Sequence, residues 1–325
     1  MKIFCDIHGY PPSHNAGAEW MLHHMLKWLK SRGHEIIVSC PDPRAKEFEG
    51  IKIVDRFGPT HQRNYYNWSD IVVSHLDYTG KVINKIRAAN RPACFIMHNT
   101  HHNTMIDMIA HRSILCFNSK YTASVPYYKH KESTIVYPPC PVEYYKTKRG
   151  GGRYITLVNH AQKKGSDVFH EMAKRLPDFE FLGVKGGYFH QNKERIPNVT
   201  YRENTPNIKK SYQVTKVILM PSSYESFGRV AIEGYASGIP CVAAPTEGLI
   251  ESLGDAGIFV DLWDLDGWED AINKLMTDKD YYQEMQAKAR ARAAELEGML
   301  NKQMEDLTNL MQRAIEHKTT EGRVA

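Results

Sequence analysis

Long apolar runs are missing from this 325-residue chain: none approaches the roughly 18 residues of a membrane-spanning helix, so no span is expected. The opening Met1-Lys2-Ile3-Phe4-Cys5 is short for a secretory signal and is cut off by Asp6 and His8, so no leader is expected either. Cysteine is scarce. The six (Cys5, Cys40, Cys94, Cys116, Cys140, Cys241) are dispersed, with no Cys-x-x-Cys pair. Five of them lie in or beside short apolar runs, where a free thiol behaves as a small buried hydrophobe. Reduced cysteines give a cytoplasmic location as the expectation. No internal repeat stands out, and no nucleic-acid-binding module is recognisable.

What is present is a globular composition, 42% hydrophobic and 24% charged, over a length that suits two domains. Charge is shared unevenly. Residues 1–150 hold 20 Lys and Arg against 12 Asp and Glu, and the remainder holds 22 against 25. Twelve of the 16 histidines also fall in residues 1–150. A basic half points to an anionic acceptor, with peripheral membrane or nucleic-acid contact as variants; the plainer alternative is an ordinary surface.

Short apolar runs alternate with helical stretches, the pattern of parallel sheets covered on both faces. Strands are expected at residues 3–7, 35–39, 51–54, 71–74, 93–98, 114–117 and 134–137. A second set is expected at 154–158, 180–183, 199–201, 217–220, 240–243 and 257–260. Between the sets, the basic, glycine-rich stretch from Lys146 to Arg153 follows a Pro138-Pro139-Cys140-Pro141 turn and reads as a linker. This divides the chain into 1–147, 148–300 and a final helical segment, 301–325, returning to the first domain. In such sheets ligands lie beyond the carboxyl ends of the strands, so chemistry is sought just after them.

The strongest signal is Pro221-Ser222-Ser223-Tyr224-Glu225-Ser226-Phe227-Gly228-Arg229-Val230-Ala231-Ile232-Glu233-Gly234, directly after an expected strand. Gly228 lets a phosphate approach the backbone, and the helix that opens there offers unpaired N–H groups. Glu225 sits in the turn and Glu233 within the helix, where carboxylates can accept hydrogen bonds from sugar hydroxyls. The alternative for Glu233 is an ordinary i,i+4 pair with Arg229 on a solvated face.

The Glu-x-Phe-Gly turn, the second Glu eight positions on, and the following Ala-Ser-Gly-Ile-Pro-Cys-Val-Ala resemble glycosyltransferase family 4. That resemblance implies an α/β chain of GT-B fold, two Rossmann-like domains with parallel sheets facing a cleft. It implies a retaining, metal-independent transferase with a nucleotide-sugar donor and no cofactor. It further implies that Glu233 holds the donor ribose and that Glu225 contacts the transferred sugar, with Ser226, Phe227 and Gly228 around it. Asn15-Ala16-Gly17-Ala18-Glu19 is similar to the family's diphosphate loop, keeping Gly17 but placing Ala16 where a second glycine is usual. Lys164, in Lys163-Lys164-Gly165, matches the family's diphosphate lysine. The arginine common some five residues earlier is replaced by Asn159 and His160, with Lys163 as a compensating cation. His98 resembles the family's cleft histidine near the reacting sugar, while His75 is similarly placed after a strand. Ser119 resembles an element that supports the fold.

Other patterns have plainer explanations. His98-Asn99-Thr100-His101-His102-Asn103 lacks the spacing of a helical metal pair and reads as a polar loop. Asp264-Leu265-Asp266 mimics a metal–diphosphate Asp-x-Asp but precedes a helix, for which Asp266 is the expected cap. Gly183-Val184-Lys185-Gly186-Gly187 could bound a base pocket. Leu22, Met25, Leu26 and Leu29 have core spacing, which favours a core helix over a membrane-surface one and leaves Trp20 and Trp28 for acceptor contact. Rival functions are a GT-B nucleotide-sugar epimerase, which would pair Glu225 with Asp77, and a non-catalytic sugar-nucleotide binder. A glycan, lipid, protein hydroxyl or modified nucleic-acid base all remain open as acceptor.

Overall fold

A computed structural model describes residues 1–58, 62–76, 78–101, 113–125, 132–147 and 152–321. The chain divides into two compact units. One comprises Met1–His14, Ala18–Pro139 and the residues from Met299 on; the other comprises Asn15–Gly17 and Cys140–Gly298.

In the first unit, strands β1 (Lys2–Asp6), β2 (Glu35–Cys40), β3 (Glu47–Phe48), β4 (Ile51–Asp55), β5 (Ile71–His75), β6 (Ala93–Met97), β7 (Ser113–Phe117) and β8 (Ser133–Ile135) form one sheet. Its order is β3-β4-β2-β1-β5-β6-β7-β8, parallel throughout except for β3 against β4. Because side chains alternate along a strand, β1 sends Ile3 and Cys5 to one face and Phe4 to the other. Both faces are covered. Helix α1 (Gly17–Ser31) buries Leu22, Met25, Leu26 and Leu29, so the core explanation of that stripe holds. Trp20 is buried with it, and the Trp28 indole donates to Asn301.

The second unit carries β9 (Tyr154–Val158), β10 (Glu180–Val184), β11 (Val199–Arg202), β12 (Thr215–Met220), β13 (Cys241–Ala243) and β14 (Gly257–Phe259) in the order β11-β10-β9-β12-β13-β14. All its pairings are parallel. Each sheet has a point where strand order reverses: β1 lies between β2 and β5, and β9 lies between β10 and β12. The crevice at such a reversal is where open α/β sheets bind ligands.

All six cysteines are free and buried, five of them on strands. Ser119 caps the short helix Lys120–Ala123 through a reciprocal bond with Thr122, a structural role. The helix after Trp263 is Leu265–Thr277, and its cap is Asp264, which accepts from Gly267 N at 3.0 Å. Asp266 instead lies in the first turn and pairs with Arg175. Among the described residues, no helix is long and apolar enough to cross a membrane.

Two histidines of the second unit are harder to protonate than in the unfolded chain. Burial lowers the pKa of His160, whose Nδ1 lies 2.7 Å from Asn192 O, and of His170, whose Nε2 lies 2.8 Å from Tyr201 Oη. Unfolded, each recovers the ordinary value of 6.5. Their contribution to stability is therefore intact above that value and is lost as pH falls through the window below it, because the unfolded chain then binds protons the native chain refuses. The slope is at most about 1.4 kcal/mol per pH unit for each proton. The melting temperature should fall between pH 7.5 and 5.0, and fall less in His160→Gln. An equal fall in both proteins would exclude His160 as a contributor.

Candidate functional site

The second unit's reversal point gathers most of the expected residues. Beyond β9 the chain enters a left-handed residue, Asn159 (φ 70°), and a 3-10 turn, Gln162–Lys164, which ends at Gly165 (φ 86°). The neighbouring strand β12 exits into Pro221 and the Ser222–Phe227 turn. The two exits pack closely, since a Cβ built on Gly165 would lie 2.1 Å from Pro221 O. Ser223 N donates to Lys163 O at 3.2 Å, tying one exit to the other.

This packing brings Lys164 to Glu225. Lys164 Nζ lies 2.6 Å from Glu225 Oε1, which also accepts from Ser222 Oγ at 3.0 Å. Both partners are only partly exposed, 21% and 13% by side chain. A half-desolvated pair of this kind holds both groups in place and leaves an ammonium reachable by an incoming anion. Lys163 is not part of the pair: it is exposed, with Nζ 5.9 Å from the Phe189 ring.

Helix α2 (Arg229–Tyr235) starts after Gly228, which is left-handed at φ 86°. A Cβ there would also meet Leu249 at 2.3 Å, so glycine is required twice over. Phe227 is buried, anchoring the turn. Glu233 does pair with Arg229, at 3.0 Å, but the pair is buried rather than solvated. Tyr212 Oη donates to the other carboxylate oxygen of Glu233 at 2.6 Å. Burial pushes the Glu233 carboxyl upward against the opposing pull of Arg229. The same guanidinium donates to Gly17 O at 3.1 Å and to Tyr145 Oη, so Arg229 links Glu233 to the Asn15–Gly17 segment.

That segment is fixed by backbone contacts. Asn204 Nδ2 donates to Asn15 O at 3.2 Å, and a Cβ on Gly187 would meet Asn15 O at 2.6 Å and Ala16 Cβ at 2.8 Å. Gly186 similarly leaves room for the Asn159 side chain, whose Oδ1 accepts from Gln191 at 2.7 Å. The Gly186-Gly187 turn thus serves to seat these two loops. A Cβ on Gly17 would meet nothing within 4 Å, so its backbone borders open space.

Sequence reasoning missed three contributors. Tyr145 and Tyr212 reach the Arg229–Glu233 pair from distant segments, and no local pattern marks them. Gly248, in the first turn of the helix Glu247–Leu253, packs where a Cβ would lie 2.3 Å from Glu225 O and 2.5 Å from Ser226 C. A glycine inside a helix was the available signal.

His98 belongs to the first unit. It follows β6, is nearly buried, and its Nε2 lies 3.1 Å from Nδ1 of fully buried His75. Of the expected polar loop, His101 is described, whereas His102 and Asn103 lie outside the described residues, as does Asp77.

The family described as Glycosyl transferases group 1 matches residues 150–292. Similar curated proteins include D-inositol 3-phosphate glycosyltransferase of Paenarthrobacter aurescens, 32% identical over 152 residues, 41% of this chain and 37% of the relative. The enzyme of the same name from Corynebacterium urealyticum is 44% identical over 71 residues, 21% of this chain and 17% of that one. The matches thus span well under half the length of these relatives. Among solved structures, sucrose-phosphate synthase of Thermosynechococcus elongatus matches with a TM-score of 0.78 at 15% identity, over 97% of this chain and all of that one. HepE of Anabaena, solved in complex with UDP and glucose, matches with a TM-score of 0.79 at 18% identity, covering 95% and 99%. At those identities the likeness shows the fold, which is GT-B. The chain thus has the GT-B fold, and its residues 150–292 are similar to the glycosyl transferases group 1 family.

Proposed function

We propose that this chain transfers a sugar from a nucleotide-sugar to a hydroxyl acceptor, with retention of configuration and without a metal on the donor diphosphate. The observation that carries the reading is the Lys164–Glu225 pair at the strand reversal of the second unit. Before donor arrives, Glu225 holds the ammonium in position. A diphosphate oxygen then competes for Lys164, and Glu225 becomes available to accept a hydrogen bond from the transferred sugar. As the glycosidic bond breaks, charge grows on the diphosphate beside Lys164, whose favourable interaction strengthens with it. Asn159, Lys163 and Ser226 are the further proposed donor contacts, with Phe227 and Gly228 offering backbone N–H groups. Helix α2 has only seven residues, so the lysine carries more of this stabilisation than the helix end does.

Each Glu233 oxygen has two lone-pair directions, so a ribose hydroxyl can bond to it without displacing Arg229 or Tyr212. Gly17, with open space at its Cα, lets the diphosphate approach the backbone. Double displacement, as in retaining glycosidases, would require a free carboxylate nucleophile. Because Glu225 is assigned to a hydroxyl of the transferred sugar and no second carboxylate is placed as nucleophile, same-face attack with a diphosphate oxygen as base fits better. A product of inverted configuration would contradict it. His98 is the candidate that the family resemblance names near the reacting sugar. The acceptor is proposed to be anionic, in keeping with the basic residues 1–150.

The test is a thermal-shift panel of UDP, GDP, ADP, dTDP and their common sugars in EDTA, on wild type and Glu233→Ala. UDP-sugars come first, given HepE. A nucleotide at 100 times its dissociation constant stabilises by about 2.7 kcal/mol. One nucleotide should raise the melting temperature despite EDTA and lose its effect in Glu233→Ala. No shift across the panel in folded protein would contradict the donor site.

A further inference from the structure

The strand reversal of the first unit gathers a second set of groups, which the transfer reading does not use. His8 follows β1, Glu19 lies in the first turn of α1, and His75 is the last residue of β5. His8 Nε2 is 3.0 Å from Glu19 Oε1, with His14 Nδ1 3.6 Å from the same oxygen. One ligand atom from each of His8, Glu19 and His75 falls within 4.8 Å of the others. Glu19 and His75 are fully buried, while His8 is 29% exposed by side chain.

His75 supplies an independent observation. Its Nδ1 is 3.1 Å from His98 Nε2, and its buried Nε2 has no hydrogen-bond partner among the described residues. When Nδ1–H donates to His98, the ring tautomer is fixed and Nε2 keeps a bare lone pair. A buried imidazole lone pair left without a donor costs free energy, which a cation at that point recovers. The arrangement of an outer hydrogen bond on one ring nitrogen and an open lone pair on the other is the one metal-ligating histidines adopt.

We propose that His8, Glu19 and His75 bind a divalent transition-metal ion of the zinc type, with His98 as the positioning residue that orients His75. Two imidazoles and one carboxylate suit Zn²⁺ and its neighbours rather than Mg²⁺ or Ca²⁺, which require mostly oxygen. Three protein ligands leave a fourth position for water or an oxygen of a bound molecule, and half-buried His8 marks the accessible side. The site lies wholly within the first unit and stands apart from the donor reading, so either can fail alone.

The experiment uses the full chain without a polyhistidine tag, stripped with chelator and titrated with Zn²⁺ and with Co²⁺. Retained metal is measured after desalting, and Co²⁺ coordination by visible absorption. One equivalent should be retained. His8→Gln and His75→Gln should weaken binding more than about 100-fold, and His98→Ala by about 10- to 100-fold. His190→Ala, which removes an exposed histidine, should bind as wild type does. Circular dichroism identifies any variant that fails to fold. His8→Gln, at a half-exposed position, then decides the matter alone. No retained metal, or equal retention in folded His8→Gln, would overturn the proposal.

Discussion

On the proposed function, Lys164→Ala is expected to lower the rate of sugar transfer by about 100- to 1,000-fold, the size of effect seen when one preorganised group facing developing charge is removed. The expectation follows from geometry. The lysine closes a 3-10 turn, is held by Glu225 at 2.6 Å and is only 21% exposed, so it is already in place before the diphosphate departs. Nearby Lys163 cannot take over, because it is exposed and directed to Phe189. The loss should fall mainly on kcat, since the interaction strengthens as the leaving group gains charge. Arginine at this position should restore only part of the rate, being a planar fork in a place fitted to a point charge. A loss confined to KM would assign Lys164 to donor binding alone.

Gly165→Ala should be damaging for a different reason. The residue is left-handed at φ 86°, a conformation that costs a non-glycine residue about 1–3 kcal/mol. The added Cβ would also lie 2.1 Å from Pro221 O, a backbone atom that cannot swing aside. Relieving such an overlap costs about another 1–3 kcal/mol. The total, at least about 2 kcal/mol, should appear as a lower melting temperature. Any shift of Pro221 moves the turn carrying Glu225, so the variant should also lose nucleotide affinity while remaining folded. Unchanged stability and affinity would show that the two strand exits are not packed as described.

Much of the fold was legible because parallel strands buried on both faces read as short apolar runs. Every expected strand exists, within about two residues at either end. The two-residue β3 is too short to show any pattern and exists only through its antiparallel pairing with β4. The Asp264-Leu265-Asp266 capping function was legible but fell on the wrong aspartate, because both precede the same helical pattern. In the candidate site, Lys164 and Glu225 were marked individually by the resemblance to glycosyltransferase family 4. Their pairing depends on β9 and β12 being neighbours, which is a tertiary fact. The surroundings of Glu233 were harder to read. An i,i+4 arginine suggests a surface pair, and only Tyr145 and Tyr212, arriving from other elements, make it a buried network. The cluster of His8, Glu19 and His75 was hidden for the same reason, its members being dispersed along the sequence.

The central claim is sugar transfer, and the most direct test follows the nucleotide-sugar that binds in the thermal-shift panel by phosphorus and proton NMR. Wild type and Lys164→Ala would be compared with phosphorylated and neutral polyol acceptors. Wild type is predicted to release nucleoside diphosphate together with a new glycoside of unchanged anomeric configuration, and Lys164→Ala to do so at about one hundredth of the rate or less. Conversion of the nucleotide-sugar into an isomer without diphosphate release would contradict the account in favour of an epimerase. Tight binding without turnover under any acceptor would contradict it in favour of a binding protein.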